Sequence, residues 1–425
     1  MSAPVPFRAI DRCRICESTD LRPLIDLGQQ ALTGVFPKTR GQAVTKGPLS
    51  LVKCVGGESA CGLVQLQHTY EPTEMYGGEY GYRSSLNRSM VEHLRQKVAT
   101  LLARAPAGAG DVVLDIGSND GTSLSFYPES ATLIGIDPTA AKFAKYYRPH
   151  VKVVADFFSA DRFFTASGGK PASIVSSVAM FYDLDRPLDF VRDVHAVLKD
   201  GGLWHFEQSY LPTMLATTSY DTICHEHVEY YGLGPILWML EKVGFSIVEI
   251  TENDINGGSF AITAAKSRPG ATTHAPIVQQ MQDRERALGL HTMAPYEAFA
   301  ARVKKHRDAL RARLVALKAA GKVVFGMGAS TKGNVILQYC DIGPELCPCI
   351  AEVNEDKFGC FTPGTEIPIV SEADAAARHP DYFLVLPWHF RKNLVPRAAP
   401  LLAQGMSLLF PLPEIDVVPG AGVEP

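Results

Sequence analysis

The stretch VVLDIGSNDG, residues 112–121, followed by TLIGID at 132–137, decides the fold class. A short run of β-branched and aliphatic residues ends in Asp115, turns at Gly117, and gives way to polar residues that open a helix. A second apolar strand ends in Asp137 about twenty residues on, the spacing of a parallel β–α–β unit whose second strand carries an acid for ribose hydroxyls. Gly117 and Gly121 let the backbone approach a ligand, and a helix N-terminus offers free N–H groups. Dinucleotide sites use G-x-G-x-x-G to admit a pyrophosphate. Here the loop is Gly117, Ser118, Asn119, Asp120, Gly121, with an acid inside it. That acid repels pyrophosphate and tolerates the sulfonium and amino group of S-adenosylmethionine. The residues expected to hold this cofactor are Asp115, Gly117, Ser118, Asn119, Asp120, Gly121, Asp137 and Pro138. Asp156 and Phe157 join them after the third strand, to edge and stack an adenine. Simple core packing competes for Phe157 and for Phe158, and a purely structural turn competes with the whole reading.

Working outward, apolar strands alternate with helical stretches from residue 76 to about 267, the signature of an open, mostly parallel sheet. The strand candidates are VVLDIG, TLIGID, VKVVA, ASIVSSVAM, GLWHFEQ, FSIVEIT and SFAITAAK. A charged helical stretch follows over residues 276–318, and a second strand–loop–helix begins at KVVFGMGASTKGN, residues 322–334. Its own later strands are CIAEVN, YFLVLP and SLLFPLP. The expected organisation is α/β with three parts. Residues 1–75 form a small zinc-binding domain. Residues 76–267 form a central Rossmann-like sheet of the S-adenosylmethionine-dependent methyltransferase type. Residues 268–425 form a helical lead-in and a C-terminal Rossmann-like domain.

The formal net charge of -4 and the absence of a long basic run argue against an electrostatic nucleic-acid footprint. No apolar run reaches the length of a membrane span or a signal sequence. A cytoplasmic protein is expected, in which the nine cysteines stay reduced, buried or metal-bound. Cys13 and Cys16 form a C-x2-C knuckle, and Cys54 and Cys61 offer a second pair. Four thiolates satisfy structural zinc. Residues 220–231, YDTICHEHVEYY, place His225, Glu226 and His227 beyond a strand end, where open α/β sheets bind ligands. Histidine titrates near neutrality and suits proton transfer. A metal site is the rival there, without the i, i+4 spacing of H-E-x-x-H. In the C-terminal unit, GMGASTKGN could cradle any phosphate-bearing ligand, NAD included.

With these motifs placed, the whole chain resembles the deoxysugar C-methyltransferase family acting on nucleotide-linked 4-keto-6-deoxyhexoses. The Cys quartet is similar to its zinc domain, LDIGSNDGT to its cofactor loop, and MYGGEYGYRSS (75–85) to its tyrosine-containing lead-in. CHEH (224–227) is similar to its active-site signature, NGGS (256–259) to a later loop, and GASTKGN to the start of its C-terminal domain. The resemblance implies methylation, most simply at C3, of an enolate generated by a base. It makes His227 the base, with Glu226, His225, Cys224, Tyr182 and Tyr82 around it, Asp183 rivalling Tyr182 and Tyr80 rivalling Tyr82. It implies substrate contacts from Tyr80, Ser84, Asn256, Ser330, Lys332 and Asn334, structural zinc on Cys13, Cys16, Cys54 and Cys61, and a monomer. Two positions depart from the family: Cys224 stands where many members carry Tyr, and AMFYDLD has no His where many members have one.

Overall fold

The computed structural model describes residues 6–57, 60–75, 82–267 and 276–423. Its central sheet follows from the alternation in VVLDI. Val112, Leu114 and Ile116 pack into one apolar cluster with Phe181, Val191, Val194 and Trp204. Val113 points the other way, with Leu133 and Ile174, onto Val98 and Leu101 of the helix Arg88–Arg104. A strand with both faces covered by helices is apolar throughout, which is why the sequence run is continuous. That helix is capped by Asn87, whose side chain accepts the Ser89 N–H at 3.0 Å, and it buries Met90, Leu94, Val98 and Leu101 along one stripe.

Across the sheet the strands run Phe245–Asn253, Ser259–Lys266, Leu198–Ser209, Ala172–Val178, Val112–Ile116, Thr132–Ile136 and Lys152–Val154. The last five are mutually parallel, and Ser259–Lys266 is antiparallel to both of its neighbours. The order reverses beside Val112–Ile116, so the loops leaving that strand and Ala172–Val178 open a crevice at their C-terminal ends.

The N-terminal segment forms an antiparallel sheet of Leu21–Ala31, Lys46–Cys54 and Val64–Leu66. Its fourth strand, Glu229–Tyr230, comes from just after the His-Glu-His segment and pairs with Val64 and Gln65. The catalytic candidates are thus threaded between two sheets. The C-terminal sheet has Val324–Met327 and Tyr382–Val385 at its centre, with Ile350–Glu352, Ile369–Ser371 and Ser407–Phe410 parallel to them and Asp416–Val418 antiparallel at one edge.

The charged stretch expected to be helical is two helices, Pro276–Ala287 and Ala294–Ala319. The second buries Tyr296, Phe299, Val303, Leu310, Leu314 and Leu317 in a cluster that also holds Leu51 and Leu66, Leu211 and Met214, and the C-terminal sheet. A 26-residue helix is about 39 Å long, enough to strut all of these together. One apolar cluster therefore runs from the N-terminal sheet to the C-terminal one. No helix among the described residues is long and apolar enough to cross a membrane.

Candidate active site

A cavity opens at the crevice in the central sheet. It is walled by Asp115 to Asn119, Asp137 and Pro138, Phe157 and Phe158, Met180, Asp183 and Leu184, with Tyr82 and Ser84 at the mouth. Asp115 is buried, and Ser176 donates to its Oδ1 at 2.6 Å. Burial, with the Asp137 carboxylate adding to it, lifts Asp115 to about 7. Asp137 is pinned by the loop itself. Its Oδ2 accepts the Asn119 N–H at 2.8 Å, and its Oδ1 accepts the N–H and hydroxyl of Thr139 at 2.6 and 2.5 Å. Apolar walls with two carboxylates at one end fit an adenosine joined to a cationic side chain.

Three residues expected in this cavity are used elsewhere. Asp120 accepts the Thr122 hydroxyl at 2.6 Å and the Ser85 N–H at 3.0 Å, so it folds the loop and holds the Tyr82–Ser85 lead-in. Gly121 has φ +75°, and a Cβ there would meet Tyr147 at 2.6 Å. Tyr147 in turn donates to the Asn119 carbonyl at 2.8 Å. Asp156 pairs with Arg162 at 2.7 Å on the surface, and Phe157 rather than Asp156 lines the cavity. Ser84, expected to contact substrate, also lies on this cavity.

The wall Met180–Leu184 separates the cavity from the histidine segment. The Tyr182 ring lies 4.4 Å from that of His227, and the Val228 N–H donates to the Tyr182 carbonyl at 2.8 Å. His227 is half-buried; its Nδ1 lies 3.0 Å from the Thr222 carbonyl, a contact that requires Nδ1 to carry the proton. Nε2 is then the basic nitrogen. Burial and the nearby Lys332 charge push His227 down to about 3, which keeps it neutral across the ordinary pH range.

Glu226 is buried, with Thr33 donating to it at 3.4 Å, and burial raises its carboxyl. Its Oε1 sits where a Cβ on Gly34 would be, 2.2 Å away. Cys224 is fully buried, and desolvation raises its thiol well above the usual range. His225 faces the opposite way. It is fully buried edge-on to Tyr70, with ring centroids 4.6 Å apart, and burial drives it to about 3. Enclosed against the N-terminal sheet, it packs and does not reach the site; the chain turns here, the His227 N–H donating to the Cys224 carbonyl at 3.2 Å, and that turn sends the two rings to different sides.

Lys332 closes the site from the C-terminal unit. Its Nζ donates to the Asn256 carbonyl at 2.9 Å. Ser330 caps its helix by accepting the Gly333 N–H at 3.0 Å. Asn334 is fully buried and donates to the Thr33 carbonyl at 2.8 Å, tying the helix to the N-terminal segment rather than facing a cleft. Glu352, the acid that an NAD ribose would need, accepts N–H groups from Ala329, Val353 and Asn354, so the nest at this loop is filled by the chain itself. Tyr80 lies outside the described residues.

Sequence reading missed Asp221, Trp388 and His389. The Trp388 indole donates to Asp221 Oδ2 at 2.8 Å, and Trp388 and His389 both stand beside Gly257. Asp221 was inside a quoted motif but carried no spacing signal, and Trp388 is 167 residues away from it.

The four N-terminal sulfur atoms, of Cys13, Cys16, Cys54 and Cys61, lie within 4.8 Å of one another. Tetrahedral zinc with its usual sulfur bonds needs neighbouring sulfurs about 3.8 Å apart. The Cys13–Cys61 and Cys16–Cys54 pairs stand at 3.5 Å.

Three family models match the chain in order. They are described as "Putative zinc binding domain" over residues 13–76, "Methyltransferase domain" over 90–250, and "C-methyltransferase C-terminal domain" over 254–413. The curated C-methyltransferase NovU of Streptomyces niveus is 30% identical over 419 residues, covering 97% of each chain. The chain belongs to the C-methyltransferase family. It is an S-adenosylmethionine-dependent methyltransferase, and its cysteine quartet is the zinc site of that family. Among solved structures, the methyltransferase is similar to the N-methyltransferase NodS of Bradyrhizobium japonicum, at 14% identity and TM-score 0.32, covering 43% of this chain and 99% of that one. It is also similar to an O-methyltransferase family protein of Burkholderia thailandensis, at 18% and 0.33, covering 43% and 57%. Both overlaps are partial, and the assignment stands on the full-length relative.

Proposed function

We propose that this methyltransferase builds a carbon–carbon bond beside the ketone of a nucleotide-linked 4-keto-6-deoxy sugar, at C3, through an enolate. The observation that carries the reading is His227: neutral, held through Nδ1 by the Thr222 carbonyl, and one aromatic ring away from the wall of the cofactor cavity. An oxygen or nitrogen nucleophile needs at most one deprotonation of an acidic group. A carbon nucleophile needs a base aimed at a C–H bond and donors for the oxyanion that develops.

His227 Nε2 takes the proton from the carbon beside the ketone. Glu226, pressed between Gly34 and Thr33, fixes the other side of the segment, and Tyr182 supplies a phenol next to the imidazole. Asp115 and Asp137 hold the cofactor's polar groups, while Phe157 and Phe158 flank its adenine. When bound, S-adenosylmethionine supplies an electrophilic methyl for in-line attack, and the protein's contribution is alignment and exclusion of water. Tyr82 at the cavity mouth closes over both ligands. The protein acts in the cytoplasm as a monomer, with a sugar nucleotide rather than a nucleic acid as partner.

The test is incubation with nucleotide-linked 4-keto-6-deoxyhexoses in D2O, with and without S-adenosylmethionine. Deuterium should enter beside the ketone and a carbon-bound methyl should follow. His227→Asn should suppress both by about 100-fold or more, the upper part of the range for removing a general base. Methylation without exchange would instead indicate an oxygen or nitrogen acceptor.

A further inference from the structure

The enolate reading leaves one charge unassigned. Proton removal places a negative charge on the ketone oxygen, and a single donor aimed at such an oxygen contributes about 100- to 1000-fold in rate. Cys224, three residues before the base, is fully buried and a weak donor. The other polar candidates are Tyr182, whose ring lies 4.4 Å from that of His227, and two side chains of the C-terminal unit, Lys332 and His389. His389 is held far below its ordinary range by burial and by the Lys332 charge, so it is neutral.

Lys332 differs from both. It lies in the first turn of the helix Thr331–Tyr339, on the C-terminal side of the site, and it is half-buried. The Asn256 carbonyl takes one of its three ammonium hydrogens at 2.9 Å, leaving two. The loop carrying Asn256 is itself clamped, because Gly257 packs on Trp388 and His389, and Trp388 donates to Asp221. Thr331, the residue before Lys332, and Glu226 of the His-Glu-His segment both lie against Gly34, so the start of this helix sits beside that segment. Burial lowers the proton affinity of Lys332 and the Asp221 carboxylate opposes that, which makes the ammonium a stronger hydrogen-bond donor than an exposed lysine.

We propose that Lys332 is the oxyanion-stabilising catalytic residue of this enzyme, with Asp221, a buried acid fixed by the Trp388 indole, as its positioning residue. The proposal rests on the ketosugar reading above. In the step, the C–H bond beside the ketone breaks and its proton passes to His227 Nε2. The electron pair forms the C=C bond, and the carbonyl π pair moves to oxygen. Lys332 donates a hydrogen bond to that oxygen and keeps its proton.

The experiment measures deuterium uptake by a thymidine-diphosphate-linked 4-keto-6-deoxyhexose in D2O without methyl donor, at saturating probe, alongside probe affinity by calorimetry. Lys332→Met should lower saturated exchange about 100-fold with affinity changed less than about threefold, and Lys332→Arg should recover part of the loss. Asp221→Asn, which keeps an acceptor for Trp388 but loses the charge, should lower exchange by a smaller factor and shift the pH profile of exchange. S-adenosylmethionine binding by each variant reports intact folding, and the arginine variant decides the matter should the methionine variant not fold. Unchanged saturated exchange with weakened probe binding would overturn the proposal, leaving Lys332 a grip on the diphosphate. No exchange by the wild-type enzyme would overturn the ketosugar reading itself.

Discussion

Gly34 shows how one missing methyl group shapes the site. A Cβ there would sit 2.2 Å from Glu226 Oε1 and 3.7 Å from the Thr331 hydroxyl. Gly34→Ala must therefore displace the carboxylate. We expect turnover to fall at least tenfold while S-adenosylmethionine binding, by calorimetry, stays within twofold, since the cofactor cavity is on the far side of Tyr182. Unaltered turnover would mean that Glu226 needs no fixed position. Asp115 gives a pH signature. Its carboxyl is raised to about 7, so it is largely protonated below that pH and ionised above it. Only the ionised form attracts the cationic cofactor, so affinity should rise as pH increases from 6 to 8. Asp115→Asn should weaken binding and flatten that slope; a slope that survives the substitution assigns it to another group. The sequence exposed Asp115 and hid Gly34, because an acid at a strand end is a local pattern and a contact across 192 positions is not.

At the scale of elements, the zinc knuckle is locked to the cavity wall by Arg14, between Cys13 and Cys16. Its side chain donates to the carbonyls of Leu66 and His68 at 2.6 and 3.2 Å and to Thr69 at 2.8 Å. Its Nε lies 3.5 Å from Asp185 and 4.0 Å from Glu229, whose other oxygen accepts the Leu184 N–H at 3.3 Å. Removing the guanidinium leaves these buried acceptors unpaired, at about 1–3 kcal/mol for a buried group left unsatisfied. Arg14→Met should accordingly lower the urea midpoint and raise the cofactor KM with zinc content unchanged. A variant with the wild-type midpoint would show that the metal alone anchors the knuckle. The strand Glu229–Tyr230 matters for the same reason: two residues of pairing with Val64 and Gln65 fix the segment that carries His227.

Across the whole molecule, the zinc site and the base are mechanically joined. Removing the metal takes folding energy from this small sheet and leaves Arg14 and a few apolar contacts to hold the knuckle. That sheet carries the Glu229–Tyr230 strand, while the cofactor loop belongs to a different, helix-covered sheet. Chelation should therefore abolish deuterium exchange at metal concentrations where S-adenosylmethionine still binds. Parallel loss of the two, followed by exchange and by calorimetry on one titration, would contradict this coupling. The continuous apolar cluster from Leu51 to Leu409 adds that the ends of the chain do not pack as separate bodies.

Local chemistry determined the parts that are local. Alternating β-branched runs ending in acids dictated a parallel sheet with a cofactor crevice, and four cysteines in a segment poor in apolar residues dictated a metal knuckle. Tertiary structure decided what those residues face. Asp120, Gly121 and Asp156 read as ligand contacts, yet the loop needs the first two for its own turn and its packing on Tyr147, and solvent is open to the third. His225 and His227 are two positions apart in one motif, but one is sealed against Tyr70 and the other opens beside Tyr182. Asp221 meets Trp388, and Lys332 meets Asn256, only because three sheets are packed against one helix. Spacing along the chain fixes backbone geometry over a few residues; which side chains share a low-dielectric pocket depends on contacts between elements far apart in sequence, and no periodicity records them.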